Sequence, residues 1–191
     1  MRPWVGDFDG MVKRRVIRVL VPYSKTFYYV EKGRARGVSA EIIDALEAEI
    51  NKDLKTRTLK VKQVALPMAR DAMMAKLLAG YGDVVIADTS ITPERQAKAD
   101  FAKPMFPGIA EVVVTGPGAP AIDKLDDLAG KEVYVRPDTS YWEHLTALNR
   151  RFAGEGKPPI KLRAAPDEFE AEDILEMVNA GLVPITVVDR Y

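Results

Sequence analysis

Ser90-Ile91-Thr92-Pro93-Glu94-Arg95 is the segment whose residue types and spacing point most directly to chemistry. Thr92 suits a helix N-cap, and Pro93 then falls at the first helical position, where its missing N–H costs nothing. Arg95 follows in the first turn, where a cation opposes the helix dipole and its placement wants a reason. An anion held between Arg95 and free backbone N–H groups supplies one. A surface ion pair with Glu94 or Asp100 is the plain alternative. Arg136-Pro137-Asp138-Thr139-Ser140 is a second such segment, again where a strand hands over to a helix. Thr139 and Ser140 suit capping, with Glu143 three residues beyond Ser140 closing a capping box, and any ligand contact would be additional.

Two aspartates stand at the carboxyl ends of apolar runs, Asp88 after Val84-Val85-Ile86-Ala87 and Asp189 after Ile185-Thr186-Val187-Val188. Either is a turn residue or a ligand contact. Tyr23 and the Phe27-Tyr28-Tyr29 cluster follow the first strand, and Tyr141-Trp142 opens a later helix; both groups suit a core or an apolar pocket wall. Other chemistry has little material. The chain has no cysteine and one histidine, His144, which excludes thiolate metal sites and leaves triads and zinc sites poorly supplied. No metal or cofactor is expected. A carboxylate pair made of Asp88 and Asp189 is the remaining formal route to catalysis. Lys plus Arg equals Asp plus Glu at 28 each, which argues against nucleic acid as a partner.

The elements that position these residues repeat. Ala79-Gly80 and Ala180-Gly181 each close a helix and lead into an apolar strand ending in aspartate. Strands are predicted over 15–22, 59–66, 131–136 and 159–164, and helices over 39–51, 70–79, 140–152 and 170–180, with Ser39 as an N-cap. Each half therefore reads β-α-β-α-β, an α/β protein with one parallel sheet per lobe. Thr115-Gly116-Pro117-Gly118-Ala119-Pro120 interrupts the pattern as a linker. The expected organisation is a first lobe over 1–114, a linker over 115–121 and a second lobe over 122–191. Ligands of open α/β sheets bind beyond the carboxyl ends of the strands, so a small molecule is expected in a cleft between the lobes.

Asp83-Val84-Val85-Ile86-Ala87, Thr92-Pro93-Glu94-Arg95, Asp100-Phe101-Ala102-Lys103-Pro104 and Asp127-Leu128-Ala129-Gly130-Lys131 resemble, in this order, the motifs of family 3 extracellular solute-binding proteins. The resemblance implies the two-lobed periplasmic-binding-protein-like fold. It implies Arg95 as the clamp for an amino acid's α-carboxylate, assisted by Ser90, with Arg136, Thr139 and Ser140 from the second lobe and Asp189 for the α-ammonium. The family's usual glycine two residues before Ser90 is Asp88 here, which adds negative charge to the pocket.

Gly6-Asp7-Phe8-Asp9-Gly10-Met11, Asp138-Thr139-Ser140-Tyr141-Trp142-Glu143-His144-Leu145 and Glu172-Asp173-Ile174-Leu175-Glu176-Met177 are similar to the non-catalytic module of membrane-bound lytic transglycosylase F-like proteins. That likeness implies a periplasmic sensing module for an amino acid or a muropeptide, partnered by a C-terminal lysozyme-like domain. The chain is then expected to be a fragment ending at Tyr191, without catalytic activity of its own. A free-standing periplasmic amino-acid receptor serving a transporter is the alternative.

Overall fold

The computed structural model describes residues 2–105 and 107–190. By contacts the chain divides into two compact units, Met1–Thr89 and Ser90–Tyr191. The boundary thus falls ahead of the expected 115–121 linker. The reason lies in pairing: the strand Ala110–Thr115, placed in the first lobe by the sequence, is hydrogen-bonded along its length to Ile185–Arg190. Tyr191, the expected end of the second lobe, lies outside the described residues. Among those described, no helix is long and apolar enough to cross a membrane.

The first unit contains helix α1 (Phe8–Arg14), strand β1 (Val16–Pro22), a hairpin of β2 (Tyr29–Glu31) and β3 (Arg34–Arg36), helix α2 (Val38–Asp53), β4 (Lys62–Met68), α3 (Arg70–Leu78) and β5 (Val84–Val85). Its sheet is parallel in the order β4-β1-β5. Strand β1 is central and buried on both faces: Ile17, Val19 and Val21 pack with Ala40 and Ile43 of α2, and Leu20 packs with Met73 of α3. That two-sided burial is why β1 is a continuous apolar run.

The second unit contains a four-residue helix α4 (Pro93–Gln96), β6 (Ala110–Thr115), β7 (Glu132–Val135), α5 (Ser140–Gly154), β8 (Lys161–Ala164), α6 (Ala171–Asn179) and β9 (Ile185–Arg190). The sheet order is β6-β9-β7-β8. Strands β8, β7 and β9 are parallel and repeat the order of β4, β1 and β5, while β6 adds an antiparallel edge. The expected parallel strands are present, and β6 makes the complete sheet a mixed one. Val133, Val135, Ile185 and Val187 pack with Leu145 and Phe152 of α5 in its core.

The repeat extends to atoms. After α3, Tyr81 N–H donates to Lys76 O and Gly80 N–H to Leu77 O; after α6, Leu182 N–H donates to Met177 O and Gly181 N–H to Val178 O. Both exits are Schellman motifs with a left-handed glycine, φ 75° at Gly80 and 72° at Gly181. An asparagine, buried at Asn51 and half-buried at Asn149, locks each helix to the residue that leads into the following strand. Asn51 Nδ2 donates to Val61 O and Glu47 O, both at 2.8 Å, while its Oδ1 accepts from Val61 N and Thr56 Oγ1, again at 2.8 Å. Asn149 grips Ile160 the same way, donating to its carbonyl at 3.0 Å and accepting from its N–H at 2.7 Å.

Asn51→Ala leaves buried backbone groups without partners, so a loss of about 3 kcal/mol is expected. Urea unfolding checks it, with Asn149→Ala expected to cost less because Asn149 makes fewer of these bonds.

Two expectations change. Helix α2 is capped by Gly37, not Ser39, because Thr26 O and Phe27 O already take the N–H groups of Val38 and Ser39. The Ser39 hydroxyl donates instead to Ile86 O at 2.9 Å. The hairpin and α1 carry no strong hydrophobic period and stand outside the predicted elements; Lys32 and Gly33 turn the hairpin with φ 48° and 76°, as a two-residue turn with both residues left-handed requires.

Candidate ligand-binding site

Thr92 caps α4 as expected, its Oγ1 accepting from Arg95 N at 3.4 Å, with Pro93 at the first position. The Arg95 side chain folds back over this turn. Its Nη1 donates to Ser90 O at 3.1 Å and its Nη2 to Asp138 O at 2.9 Å. The carboxylate paired with it is Glu143, at 3.6 Å, rather than the anticipated Glu94 or Asp100; Glu94 is taken by Lys98 at 2.8 Å.

Arg136 shows the contrasting arrangement. It is 4% exposed, and its guanidinium forks onto Asp138 through Nε at 3.0 Å and Nη2 at 2.8 Å, while Nη1 donates to Glu170 Oε1 at 2.7 Å and Phe169 O at 3.0 Å. Burial works against this charge, but Asp138 and Glu170 outweigh it and hold the guanidinium more firmly protonated than usual. Four of its N–H donors are thereby committed within the protein. Arg136 is built as a structural clamp on the loop, at variance with the ligand-contact role the resemblance implied.

Thr139, not Ser140, is the N-cap of α5: it accepts from Trp142 N at 3.4 Å and donates to Arg136 O at 2.7 Å. No capping box forms on Ser140. Its buried hydroxyl lies 2.8 Å from Glu111 Oε1 and 3.2 Å from Ser90 Oγ, donating to the carboxylate. Glu111 Oε2 is 2.9 Å from His144 Nδ1. Strand register sets Glu111 directly opposite Asp189, on the face that carries Val113 and Val187 into the core. Tyr141 Oη accepts from Asp189 N at 3.1 Å, tying β9 to the first turn of α5.

Ser90, Arg95, Ser140 and Asp189 are therefore joined through Glu111, Asp138 and Tyr141 within one unit. Glu111 was missed by sequence reasoning; its signal is a lone acid heading the apolar run Val112-Val113-Val114. The remaining candidates belong to the first unit. Asp88 is exposed and left-handed at φ 45°. An aspartate tolerates that conformation better than most residues, which accounts for its standing where the family has glycine. Tyr28 is 9% exposed and packed in the core, as an aromatic wall residue is not, whereas Tyr23 is 69% exposed.

Residues 17–187 match the bacterial extracellular solute-binding proteins, family 3. The chain belongs to this family. Among its relatives, the membrane-bound lytic murein transglycosylase F of Desulfosudis oleivorans is 28% identical over 173 residues and that of Ectopseudomonas mendocina 26% over 174. Each match takes in 91% of this chain but 35% and 33% of the relative, so the chain spans about a third of the length of these curated relatives. Among solved structures, an ancestral arginine-binding protein bound to arginine superposes with a TM-score of 0.68 at 29% identity, over 92% of this chain and 70% of that one. The ancestral amino acid-binding protein AncCDT-1, a precursor of cyclohexadienyl dehydratase, gives 0.69 at 26%, over 95% and 73%. Holo ArgBP from T. maritima, at 20% identity and a TM-score of 0.72 over 96% and 73%, shares the solute-binding fold.

Proposed function

We propose that this solute-binding chain holds a small amino-acid-like ligand without transforming it, with Arg95 taking the α-carboxylate and Asp189 the α-ammonium. One observation carries the reading: Arg18 and Arg136 are matched by carboxylates at hydrogen-bond distance, whereas the one carboxylate paired with Arg95 stands further off. Arg18 meets Asp83 at 2.7 Å, and Arg136 meets two carboxylates at 2.8 and 2.7 Å. Arg95 rests on two neutral carbonyls, its nearest carboxylate 3.6 Å away. A guanidinium held in place yet incompletely neutralised is suited to an incoming carboxylate. The hydroxyls of Ser90 and Ser140 lie in the same network, and Asp189 stands opposite Glu111 in the strand register.

The likeness to transglycosylases supports a regulatory setting: a periplasmic sensing module whose ligand, an amino acid or a muropeptide, biases a neighbouring lysozyme-like domain by differential affinity for two states. The amino-acid-binding neighbours keep a free-standing periplasmic receptor as the second reading.

Ligand analogues test the contacts separately. In calorimetric titrations with the common L-amino acids and a muropeptide, one compound is expected to bind. Its carboxamide, which lacks the anion for Arg95, and its N-acetyl form, which lacks the ammonium for Asp189, should each bind about 10- to 100-fold more weakly. Equal binding of the parent compound and its carboxamide refutes the clamp.

A further inference from the structure

The first unit carries a second polar surface, at the end of its sheet opposite the carboxyl ends of the strands. Helix α1 ends there, α2 ends there, and β1 and β4 begin there. A groove of about 400 Å³ opens at this end, with Val12, Leu54 and Leu59 in its lining and Lys13 and Arg15 beside them. Leu59 is 63% exposed and Leu54 38%. The connection from α2 to β4 adds Lys55, Arg57 and Lys60 and no acid between Leu54 and Lys62.

Charge is unevenly distributed here. Glu49 neutralises Lys52 at 2.8 Å and Glu47 neutralises Lys62 at 2.6 Å. Lys13, Arg15, Lys55 and Arg57 are exposed and make no ion pair to a described residue. Against them stands Asp53, exposed at the end of α2, so in a chain of zero net charge this end carries a local excess of cations. The connection is also held firmly, since Asn51 binds both Thr56 and Val61. The result is a firmly held cationic rim with Leu59 and Leu54 exposed inside it.

We infer that this end of the first unit docks on the surface of an anionic phospholipid bilayer, its cations meeting headgroup phosphates and Leu54 and Leu59 entering the interface. The leucines select a bilayer over a soluble polyanion, because buried apolar area adds to electrostatic attraction only where an apolar layer lies beneath the charges. Each cation near such a surface contributes roughly fivefold in partitioning.

Sedimentation with vesicles tests this on the full 191-residue chain. Vesicles of phosphatidylglycerol mixed with phosphatidylcholine are expected to bind it, more weakly as salt rises, and pure phosphatidylcholine is expected not to. The triple variant Lys55→Gln, Arg57→Gln, Lys60→Gln should lose about a hundredfold in partitioning, with its melting midpoint unchanged because these side chains are exposed. Leu59→Ser should weaken vesicle binding but leave heparin binding alone. Equal binding to neutral vesicles, full binding by the triple variant, or indifference of vesicle binding to Leu59→Ser overturns the inference, the last in favour of a soluble polyanion.

Discussion

Arg136→Ala is expected to destabilise the protein by about 3–5 kcal/mol, the cost of breaking a buried ion pair from one side. The substitution removes the fork on Asp138 and the pair with Glu170, whose side chain is 9% exposed. Residues 136–138 and the start of α6 are joined by this one side chain, because Phe169 O also accepts from it. Arg136→Lys keeps the charge but cannot reach both carboxylates in plane, so it should recover only part of the loss. Urea unfolding of the two variants measures this. A ligand clamp would give a different outcome, wild-type stability with binding lost, and that result would return Arg136 to the binding site.

Asp83→Ala is expected to cost about as much. The Asp83 side chain is 1% exposed and binds Arg18 three times, through Nη2 at 2.7 Å, Nε at 3.2 Å and the backbone N–H at 2.7 Å, with Arg14 as a further partner. Arg18 in turn donates to Gly80 O at 2.8 Å and Trp4 O at 3.0 Å, and Arg14 stacks on the Trp4 ring. Removing the carboxylate strands a buried cation at the junction of β1, β5 and the amino-terminal segment. Burial raises the Asp83 pKa, but the hydrogen bonds from Arg18 and Arg14 outweigh it and hold the carboxyl below its usual range.

A depressed carboxyl pKa gives stability that is full above the unfolded value of about 4 and lost as pH falls through the folded one. The gap between wild type and Asp83→Ala should therefore be constant near neutrality and close below about pH 4. Chemical unfolding across that range checks it; a gap that widens in acid contradicts it.

The two-half plan was legible because its signals are local. Ala79-Gly80 and Ala180-Gly181 announce helix exits that only a left-handed residue closes, and each opens onto an apolar strand. Thr92-Pro93 likewise determines its own cap. What stayed hidden depends on distant partners. Arg136 looks available in sequence because Glu170 is 34 residues away. Ser140 looks like a cap because nothing local reveals that β6 will bring Glu111 to it from 29 residues away. Strand Ala110–Thr115 reads equally well in either half until its partner β9 is known. The asparagine clamps were missed for the same reason, since Asn51 and Asn149 look like ordinary polar residues near helix ends.

The role of Arg95 is tested most directly by thermal melting of the protein with L-arginine, the other common L-amino acids and a muropeptide, run beside Arg95→Ala. A compound present at one hundred times its dissociation constant should add about 2.7 kcal/mol and raise the midpoint visibly. One such compound is expected to raise the midpoint of the wild type and leave Arg95→Ala unmoved. If Arg95→Ala shifts as far as the wild type, or no compound shifts either, Arg95 is not a carboxylate clamp.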